Sequence, residues 1–121
     1  MAKKILIVDD AQFMRMMIKD VVSSLQLEVV GEACNGEEGV KMYQELKPDL
    51  VTLDLVMPKM GGIEAMKAIR EFDPEAKVIV VSAIDQREIL MEAIRLGAQD
   101  FIVKPFEETR VQSAIQKALG E

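Results

Sequence analysis

The residues with the clearest chemical potential each lie at the end of a short apolar segment of the sequence. Asp9 and Asp10 follow the first such segment, Asp54 and Ser82 end two others, and Lys104 ends the last. Because the chain contains no histidine and only one cysteine, its chemistry depends on carboxylates, lysine and serine. Intrachain disulfide bonds, Cys/His zinc sites, Ser/His/Asp triads and phosphohistidine carriers are therefore excluded.

The three carboxylates would repel one another if the fold brought them together. Two unit charges ~5 Å apart at an effective dielectric constant of ~20 cost about 3 kcal/mol. Lys104 supplies one compensating charge, and a hard divalent cation is the natural partner for a loose cluster of carboxylate oxygens. We therefore predict a Mg²⁺ site that includes Asp9, Asp10 and Asp54.

Each of these residues also has a purely structural interpretation. Asp9 and Asp10 could cap a helix, and Asp54 could form a turn with its own backbone. Ser82 could be a hydroxyl at a helix start, and Lys104 could be a surface lysine whose stem packs on apolar side chains. Their joint placement after apolar segments favours a functional cluster.

Apolar segments of strand length recur along the chain. They predict strands near 4–8, 28–34, 50–53, 77–81 and 100–103. Most are continuous rather than alternating, which is typical of strands buried on both faces of a parallel sheet. The segments between them have the apolar spacing of amphipathic helices, as in 14–25 and 111–119.

Five strand–helix units predict an α/β protein with a (βα)5, doubly wound, five-stranded parallel sheet. In such sheets, right-handed crossovers place helices on both faces. Functional groups gather outside the carboxyl ends of the strands, where the strand order reverses. The acids, the serine and the lysine all fall at such ends.

Length and composition define the class of protein. The chain has 121 residues, of which 50% are hydrophobic and 30% are charged, as expected for one globular domain. Its apolar runs are far shorter than the ~20 residues of a membrane span. The net charge of −6 disfavours nucleic-acid binding. We expect a soluble, cytoplasmic protein with protein or small-ion partners, acting neither on nucleic acid nor in a membrane.

The order of these motifs along the chain resembles that of the receiver domains of bacterial two-component response regulators. The matching residues are Asp9-Asp10, Asp54, the segment Met-Pro-Lys-Met-Gly-Gly at 57–62, Ser82 and Lys104-Pro105. The resemblance covers essentially the whole chain and extends to single-domain chemotaxis regulators. It implies one receiver domain over residues 1–121, with the flavodoxin-like strand order 2-1-3-4-5.

The resemblance implies a role for each matching residue. Asp54 accepts a phosphoryl group from the phosphohistidine of a histidine kinase. The Mg²⁺ ligands are Asp9, Asp10, Asp54 and the backbone carbonyl of Val56. Ser82 and Lys104 contact the phosphoryl oxygens once Asp54 is modified, which biases a two-state domain. The chain is then not an enzyme, apart from catalysing its own phosphorylation and dephosphorylation.

Two further expectations follow from the resemblance. Phe101 matches an aromatic switch residue that is often tyrosine in the family, although it could simply be part of the core. Without a hydroxyl group, it would act by volume and burial alone. The Lys104–Pro105 peptide bond is expected to be cis, a form found in about 5–6% of X-Pro bonds.

Val56 and Ile84 occupy positions that, in the family, line the approach of hydrolytic water. Both side chains are apolar, so we expect slow self-dephosphorylation. A shorter aspartyl-phosphate half-life than that of a Val56→Asn variant would contradict this expectation.

Phe13 and Met16 lie outside the core-facing stripe of the first predicted helix, one turn after the acidic pair. Exposed apolar residues beside a reactive site indicate docking. We predict that they contact the helical phosphodonor domain of the kinase, or a phosphatase. The alternative is a wide, partly buried helix face.

The partners implied by the resemblance are a histidine kinase of the chemotaxis type and a flagellar motor switch protein, with a phosphatase as a further candidate. The motor switch would bind the surface made by the fourth helix, the fifth strand and the fifth helix. We expect a monomer. A stand-alone or excised receiver that signals to a non-flagellar partner would carry the same motifs.

Three other classes of protein fit less well. A flavodoxin-like electron carrier needs a hydroxyl- and glycine-rich loop where this chain has Asp9 and Asp10. A phosphohydrolase of the haloacid dehalogenase type carries a second acid where this chain has Val56. An interaction module that is never phosphorylated would have lost an acid or Lys104, and both are retained.

Overall fold

The computed structural model describes residues 2–83 and 87–120, in which five strands and five helices alternate. The elements are β1 (Lys4–Val8), α1 (Gln12–Ser24), β2 (Glu28–Ala33), α2 (Gly36–Leu46), β3 (Leu50–Asp54), α3 (Gly62–Phe72), β4 (Val78–Ala83), α4 (Arg87–Arg95), β5 (Asp100–Lys104) and α5 (Glu108–Ala118). All five predicted strands are confirmed. β3, β4 and β5 continue further than predicted, so that Asp54, Ser82 and Lys104 belong to strands.

The strands form one parallel sheet in the order β2-β1-β3-β4-β5. The predicted doubly wound α/β fold is therefore confirmed, including its strand order. From β1 the chain crosses to one edge of the sheet, and from β3 it proceeds to the other edge. The loops after β1 and β3 consequently diverge at the centre of the sheet, which opens a crevice at the carboxyl ends of these strands.

The sheet separates two apolar cores, and β1 contributes to both. Ile5 and Ile7 pack in the core that α1 and α5 cover, whereas Leu6 and Val8 pack in the core that α2, α3 and α4 cover. Alternate side chains of a strand point to opposite faces, and here both faces are buried. This explains why the central strands are continuously apolar in sequence.

The helices are short and have one buried face each. In α1, the residues Ile18, Val21 and Val22 are fully buried, as the apolar spacing predicts. Asn35 caps the start of α2, and its side chain accepts a 2.8 Å hydrogen bond from the N–H of Glu38. Across the described ranges, no helix is both long enough and apolar enough to cross a membrane.

Candidate functional site

Parallel pairing brings the predicted reactive residues to one edge of the sheet. β1 ends at Val8, which pairs with Leu53, so the acidic pair that follows β1 lies beside Asp54 at the end of β3. Asp54 in turn pairs with Val81 of β4. The register continues to β5, where the last pair is Ala83 with Lys104.

The three carboxylates form a compact cluster. Asp9, Asp10 and Asp54 each offer an oxygen atom, and these atoms lie within 4.8 Å of one another. Asp9 and Asp54 are only 1% and 6% exposed, whereas Asp10 is exposed. The cluster therefore has a buried floor, with one carboxylate at the solvent side.

Lys104 bridges the two buried carboxylates. Its ammonium nitrogen lies 3.1 Å from Oδ2 of Asp9 and 3.3 Å from Oδ2 of Asp54. The Lys104 side chain is 21% exposed, so the interpretation as a surface lysine is wrong. One ammonium group compensates one of the three charges, and the cluster retains an excess of negative charge.

This arrangement shifts the ionisation of two groups. Burial, reinforced by the charge of Asp9, raises the pKa of Asp54 to about 6, although Lys104 and the N–H of Val56 act in the opposite direction. Burial alone would lower the pKa of Lys104, but the charges of Asp54 and Asp9 raise it above its usual value. Lys104 is thus cationic at neutral pH, and Asp54 gains its charge at a higher pH than an ordinary carboxyl group.

The donor set fits a hard divalent cation. Every candidate ligand atom in the cluster is an oxygen, which Mg²⁺ prefers. Within the described residues, buried Oδ2 of Asp9 has no well-aligned hydrogen bond, and its close contact is with the ammonium group of Lys104. This oxygen atom is buried without a well-aligned hydrogen bond, in a cluster with more negative than positive charge, and is therefore suited to binding a cation. Val56, the fourth predicted ligand, lies in the loop after β3, where its N–H is 3.4 Å from Oδ1 of Asp54.

The helix-cap interpretation of Asp9 and Asp10 and the helix-start interpretation of Ser82 do not hold, whereas the turn at Asp54 is present. The N-cap residue of α1 is Ala11, which has no side-chain group that could accept a hydrogen bond from the first turn of the helix. Asp9 instead accepts a 2.9 Å hydrogen bond from the N–H of Ala11 in the loop before the helix. Oδ1 of Asp54 accepts a 3.4 Å hydrogen bond from the N–H of Val56, so the turn that the sequence allowed for Asp54 is present. It coexists with the contact between Asp54 and Lys104. Ser82 belongs to β4 rather than to a helix start.

Ser82 is buried at the carboxyl end of β4. It is 1% exposed, and its hydroxyl group donates a 3.2 Å hydrogen bond to the carbonyl oxygen of Ala83. It follows Val81, the register partner of Asp54. Ser82 therefore lies on β4, the strand next to β3, one residue beyond the position that pairs with Asp54.

Phe101 lies on the outer edge strand and is 37% exposed, so the interpretation as plain core packing is wrong. It lines a groove of about 470 Å³ between β5 and α5. The other lining residues are Val103, Pro105, Phe106, Glu107, Thr109, Arg110 and Ser113. The peptide bond between Lys104 and Pro105 is cis, as the resemblance implies.

Two glycines to which the sequence analysis assigned no site role allow the loop after β3 to pack tightly. A Cβ atom on Gly62 would overlap the carbonyl oxygen of Asp54. A Cβ atom on Gly36 would overlap the carbonyl oxygen of Met60, to which the N–H of Gly36 donates a 3.0 Å hydrogen bond. The Gly-Gly pair after Met60 is the sequence signal for the close approach at Gly62.

Phe13 and Met16 project from α1 into solvent. They are 67% and 52% exposed, so the interpretation as a partly buried helix face is wrong. Both lie in the first turns of α1, directly after the loop that carries the acidic pair. Val56 is likewise half exposed at the site, and Ile84 lies outside the described residues.

Comparison with known proteins gives consistent similarities. Residues 5–116 match the model of the response regulator receiver domain family. The chain is 56% identical to chemotaxis protein CheY of Thermotoga maritima, covering 97% of this chain and 98% of that protein. It is 54% identical to chemotaxis protein CheY of Bacillus subtilis, covering 99% and 100% of the two chains. A crystal structure of a CheX-CheY-BeF3-Mg²⁺ complex from Borrelia burgdorferi contains a chain similar to this one, with 35% identity, a TM-score of 0.90 and coverage of 95% and 87%.

Proposed function

The chain belongs to the response regulator receiver domain family, and we propose that it is the phosphoacceptor regulator of a chemotaxis pathway. In this proposal, Asp54 takes a phosphoryl group from a histidine kinase in the cytoplasm, and the modified domain binds a flagellar motor switch protein. The likeness to chemotaxis proteins over almost the entire chain supports this assignment. The chain would act on itself alone and would not turn over another substrate.

The observation that carries the proposal is the environment of Asp54. Its carboxylate is buried at a sheet edge, shares Lys104 with Asp9, and lies within a cluster of three acids. Phosphoryl transfer requires an in-line nucleophile and compensation of charge more than it requires proton transfer. A carboxylate nucleophile with a fixed ammonium group beside it meets that need without histidine.

The residues that would hold Mg²⁺ are Asp9, Asp10, Asp54 and the carbonyl group of Val56. When bound, the ion would supply charge neutralisation at the phosphoryl oxygens. The chemistry of the cluster supports this assignment because all its donors are oxygens and one of them is buried without a well-aligned hydrogen bond. The crystal structure of the Borrelia burgdorferi chain was obtained in a complex that contains Mg²⁺ and BeF3.

Lys104 and Ser82 would contact the phosphoryl group once Asp54 is modified. The Lys104 ammonium group now contacts two carboxylates, and the phosphoryl group on Asp54 would offer it oxygens of greater charge. The Ser82 hydroxyl group is bonded to the neighbouring carbonyl of Ala83 at 3.2 Å. Exchange of that weak hydrogen bond for a charge-assisted one would draw the end of β4 toward Asp54.

The output surface in this proposal includes α4, β5 and α5. Phe101 is already 37% exposed beside a groove formed with α5. Met91 and Ile94 of α4 are 47% and 42% exposed as well. Because β5 pairs with β4 from Ile79 to Ala83, a movement at Ser82 would reach Phe101 through the sheet.

Intact mass after incubation with acetyl phosphate tests the phosphoacceptor assignment. The wild-type protein should gain one phosphoryl group only when Mg²⁺ is present. Asp54→Asn should gain none, because the amide is not a nucleophile. A gain that is independent of Mg²⁺ and of Asp54 would contradict the proposal, and no gain under any condition would favour an interaction module that is never phosphorylated.

The kinase-docking part of the proposal depends on Phe13 and Met16. Phe13→Ala removes an exposed aromatic group beside the site without disturbing the core. It should slow transfer from the phosphorylated kinase and leave phosphorylation by acetyl phosphate unchanged, since the small donor needs no docking surface. Phe72→Ala, at a second exposed aromatic position on α3, is the control and should leave both rates unchanged. Equal kinase transfer rates for wild type and Phe13→Ala would contradict docking through this residue.

Capture experiments test the output partner. The protein loaded with beryllofluoride and Mg²⁺ should bind a flagellar motor switch protein more tightly than the unloaded protein. If the beryllofluoride-loaded protein binds no motor component, and the phosphorylated protein transfers its phosphoryl group to another protein, the chain is instead a relay to a non-flagellar partner.

A further inference from the structure

The side chain of Arg15 connects α1 with the loop that carries the acidic pair. One guanidinium nitrogen donates a 2.6 Å hydrogen bond to the backbone carbonyl oxygen of Asp9. Nε of the same guanidinium group lies 3.3 Å from a carboxylate oxygen of Glu32 on β2. The Arg15 side chain is only 16% exposed, and hydrogen bonds in such a partly shielded place are stronger than those at the surface.

The carbonyl group that Arg15 binds belongs to the peptide unit between Asp9 and Asp10. The N–H of Asp9 donates a 3.0 Å hydrogen bond to the carbonyl oxygen of Ala33, and its Oδ1 accepts one from the N–H of Ala11. The guanidinium group holds the remaining backbone group of Asp9. Because a peptide unit is planar, fixing this carbonyl oxygen also fixes the direction in which the chain continues to Asp10.

Asp10 depends on this backbone constraint more than its neighbour does. Asp9 is 1% exposed, whereas Asp10 is exposed, so side-chain packing does not hold its carboxylate. Its oxygen nevertheless lies within 4.8 Å of oxygens from both other acids. We infer that Arg15 is a positioning residue for the predicted metal site, because it holds the Asp9–Asp10 peptide so that the Asp10 carboxylate faces the cluster.

Glu32 holds the guanidinium group in place. Its second carboxylate oxygen is 2.9 Å from the ammonium nitrogen of Lys19, one turn further along α1. The hydrogen bond from Lys19 and the charges of Lys19 and Arg15 together keep the pKa of Glu32 below its usual range. Glu32 is therefore ionised at neutral pH and anchors Arg15 from the neighbouring strand.

Charge and positioning predict opposite effects of removing Arg15. A cationic group near the acids repels a metal ion, so its removal by charge alone would tighten Mg²⁺ binding. Loss of a positioning contact would weaken binding, and partners that orient metal ligands typically change affinity by about 10–100-fold. The sign of the change therefore distinguishes the two roles.

The experiment compares Arg15→Met with Lys19→Met. Both variants remove one positive charge that contacts Glu32, but only the first loses the hydrogen bond to Asp9. Mg²⁺ affinity is measured as the rise of the unfolding temperature with Mg²⁺ concentration, which follows from preferential binding to the folded state. Arg15→Met should weaken Mg²⁺ binding by about tenfold. Lys19→Met should change it by about twofold or less, since that exposed charge is screened.

Arg15→Lys adds a variant that keeps the charge. A lysine at this position lacks the planar fork that contacts Asp9 and Glu32 together, so its Mg²⁺ affinity should also fall below that of the wild type. The unfolding temperature without Mg²⁺ records any purely structural effect separately.

This inference rests on the proposed function, because it assumes that the acidic cluster binds Mg²⁺. If the wild type binds Mg²⁺ and Arg15→Met binds it equally or more tightly, the positioning role is overturned and the proposed function stands. A lower unfolding temperature of metal-free Arg15→Met with unchanged Mg²⁺ affinity has the same consequence. If Mg²⁺ does not stabilise the wild type at all, both the inference and the metal assignment are wrong.

Discussion

Asp54 combines two requirements that oppose each other. To act as a nucleophile it must be ionised, yet it is 6% exposed and lies beside Asp9. These conditions raise its pKa to about 6, which means that ionising Asp54 costs more free energy in the folded, metal-free protein than in the unfolded chain. Lys104 compensates part of this cost through its contacts with both acids. The charged form of Asp54 therefore lowers the stability of the folded, metal-free protein, and this cost accompanies the charged cluster.

The free energy of unfolding of the metal-free protein should depend on pH because of the shifted pKa of Asp54. Because folding raises the pKa of Asp54 from 3.8 to about 6, the folded state binds more protons than the unfolded state between those values. Stability from this group therefore declines as pH rises through that window. Asp54→Asn, which resembles the protonated acid, should be more stable than wild type by about 1–3 kcal/mol at pH 7 in EDTA. The difference should nearly vanish at about pH 4, where wild-type Asp54 is protonated.

Urea unfolding at several pH values, with EDTA and with saturating Mg²⁺, measures this difference. Mg²⁺ should stabilise the wild type more than Asp54→Asn and so reduce the gap at pH 7. A variant that is less stable than wild type at pH 7 in EDTA would contradict the argument.

At the level of secondary-structure elements, the loop between β3 and α3 is tightly folded. The chain leaves β3 after Asp54 and turns back, so that α3 begins close to the end of β3. The N–H of Gly62 donates a 2.9 Å hydrogen bond to the carbonyl oxygen of Leu55, so the start of α3 lies directly over the end of β3. The N–H of Gly36 binds the carbonyl oxygen of Met60 and ties the same loop to α2. These close approaches of backbone to backbone hold the segment that contains Val56.

Gly62→Ala should test this packing, with Gly61→Ala as its matched control. A Cβ atom at Gly62 would overlap the carbonyl oxygen of Asp54, whereas one at Gly61 would find only the carbonyl oxygen of Leu55, at 3.6 Å. Overpacking of this kind typically costs about 1–3 kcal/mol. Gly62→Ala should therefore lower the free energy of unfolding by that amount and slow phosphorylation by acetyl phosphate, because Asp54 must move. Gly61→Ala should leave both quantities near wild-type values, and equal behaviour of the two variants would contradict the argument.

At the scale of the whole molecule, the sheet has two edge strands, and both carry charges. β2 includes Glu28 and Glu32, and β5 begins with Asp100. Arg110 of α5 covers the start of β5 through two hydrogen bonds to Asp100, of 2.9 and 3.1 Å. Charged or covered edges oppose pairing with the edge of another molecule, and the net charge of −6 adds general repulsion.

We therefore expect the unmodified protein to be a monomer. Sedimentation velocity at micromolar concentrations should give a single species with the mass of one chain, 13.5 kDa. Asp100→Asn is a useful comparison, because it removes the ion pair between Asp100 and Arg110 at the start of β5 without altering the acidic cluster. A sedimentation coefficient that rises with protein concentration in wild type would show that the edges associate.

The (βα)5 fold and the group of residues at one sheet edge could both be predicted from the amino-acid sequence. Apolar runs such as 5–8 and 78–81 are local signals of buried parallel strands, and the general rule for such sheets places Asp9, Asp54 and Lys104 at the same ends. The contacts between these groups could not be predicted in the same way. The contact of Lys104 with two acids, the exposure of Phe101 and the hydrogen bond from Arg15 to Asp9 depend on strand register and helix packing. Side-chain type and spacing describe one segment at a time, whereas contact distances arise only when separate segments pack together.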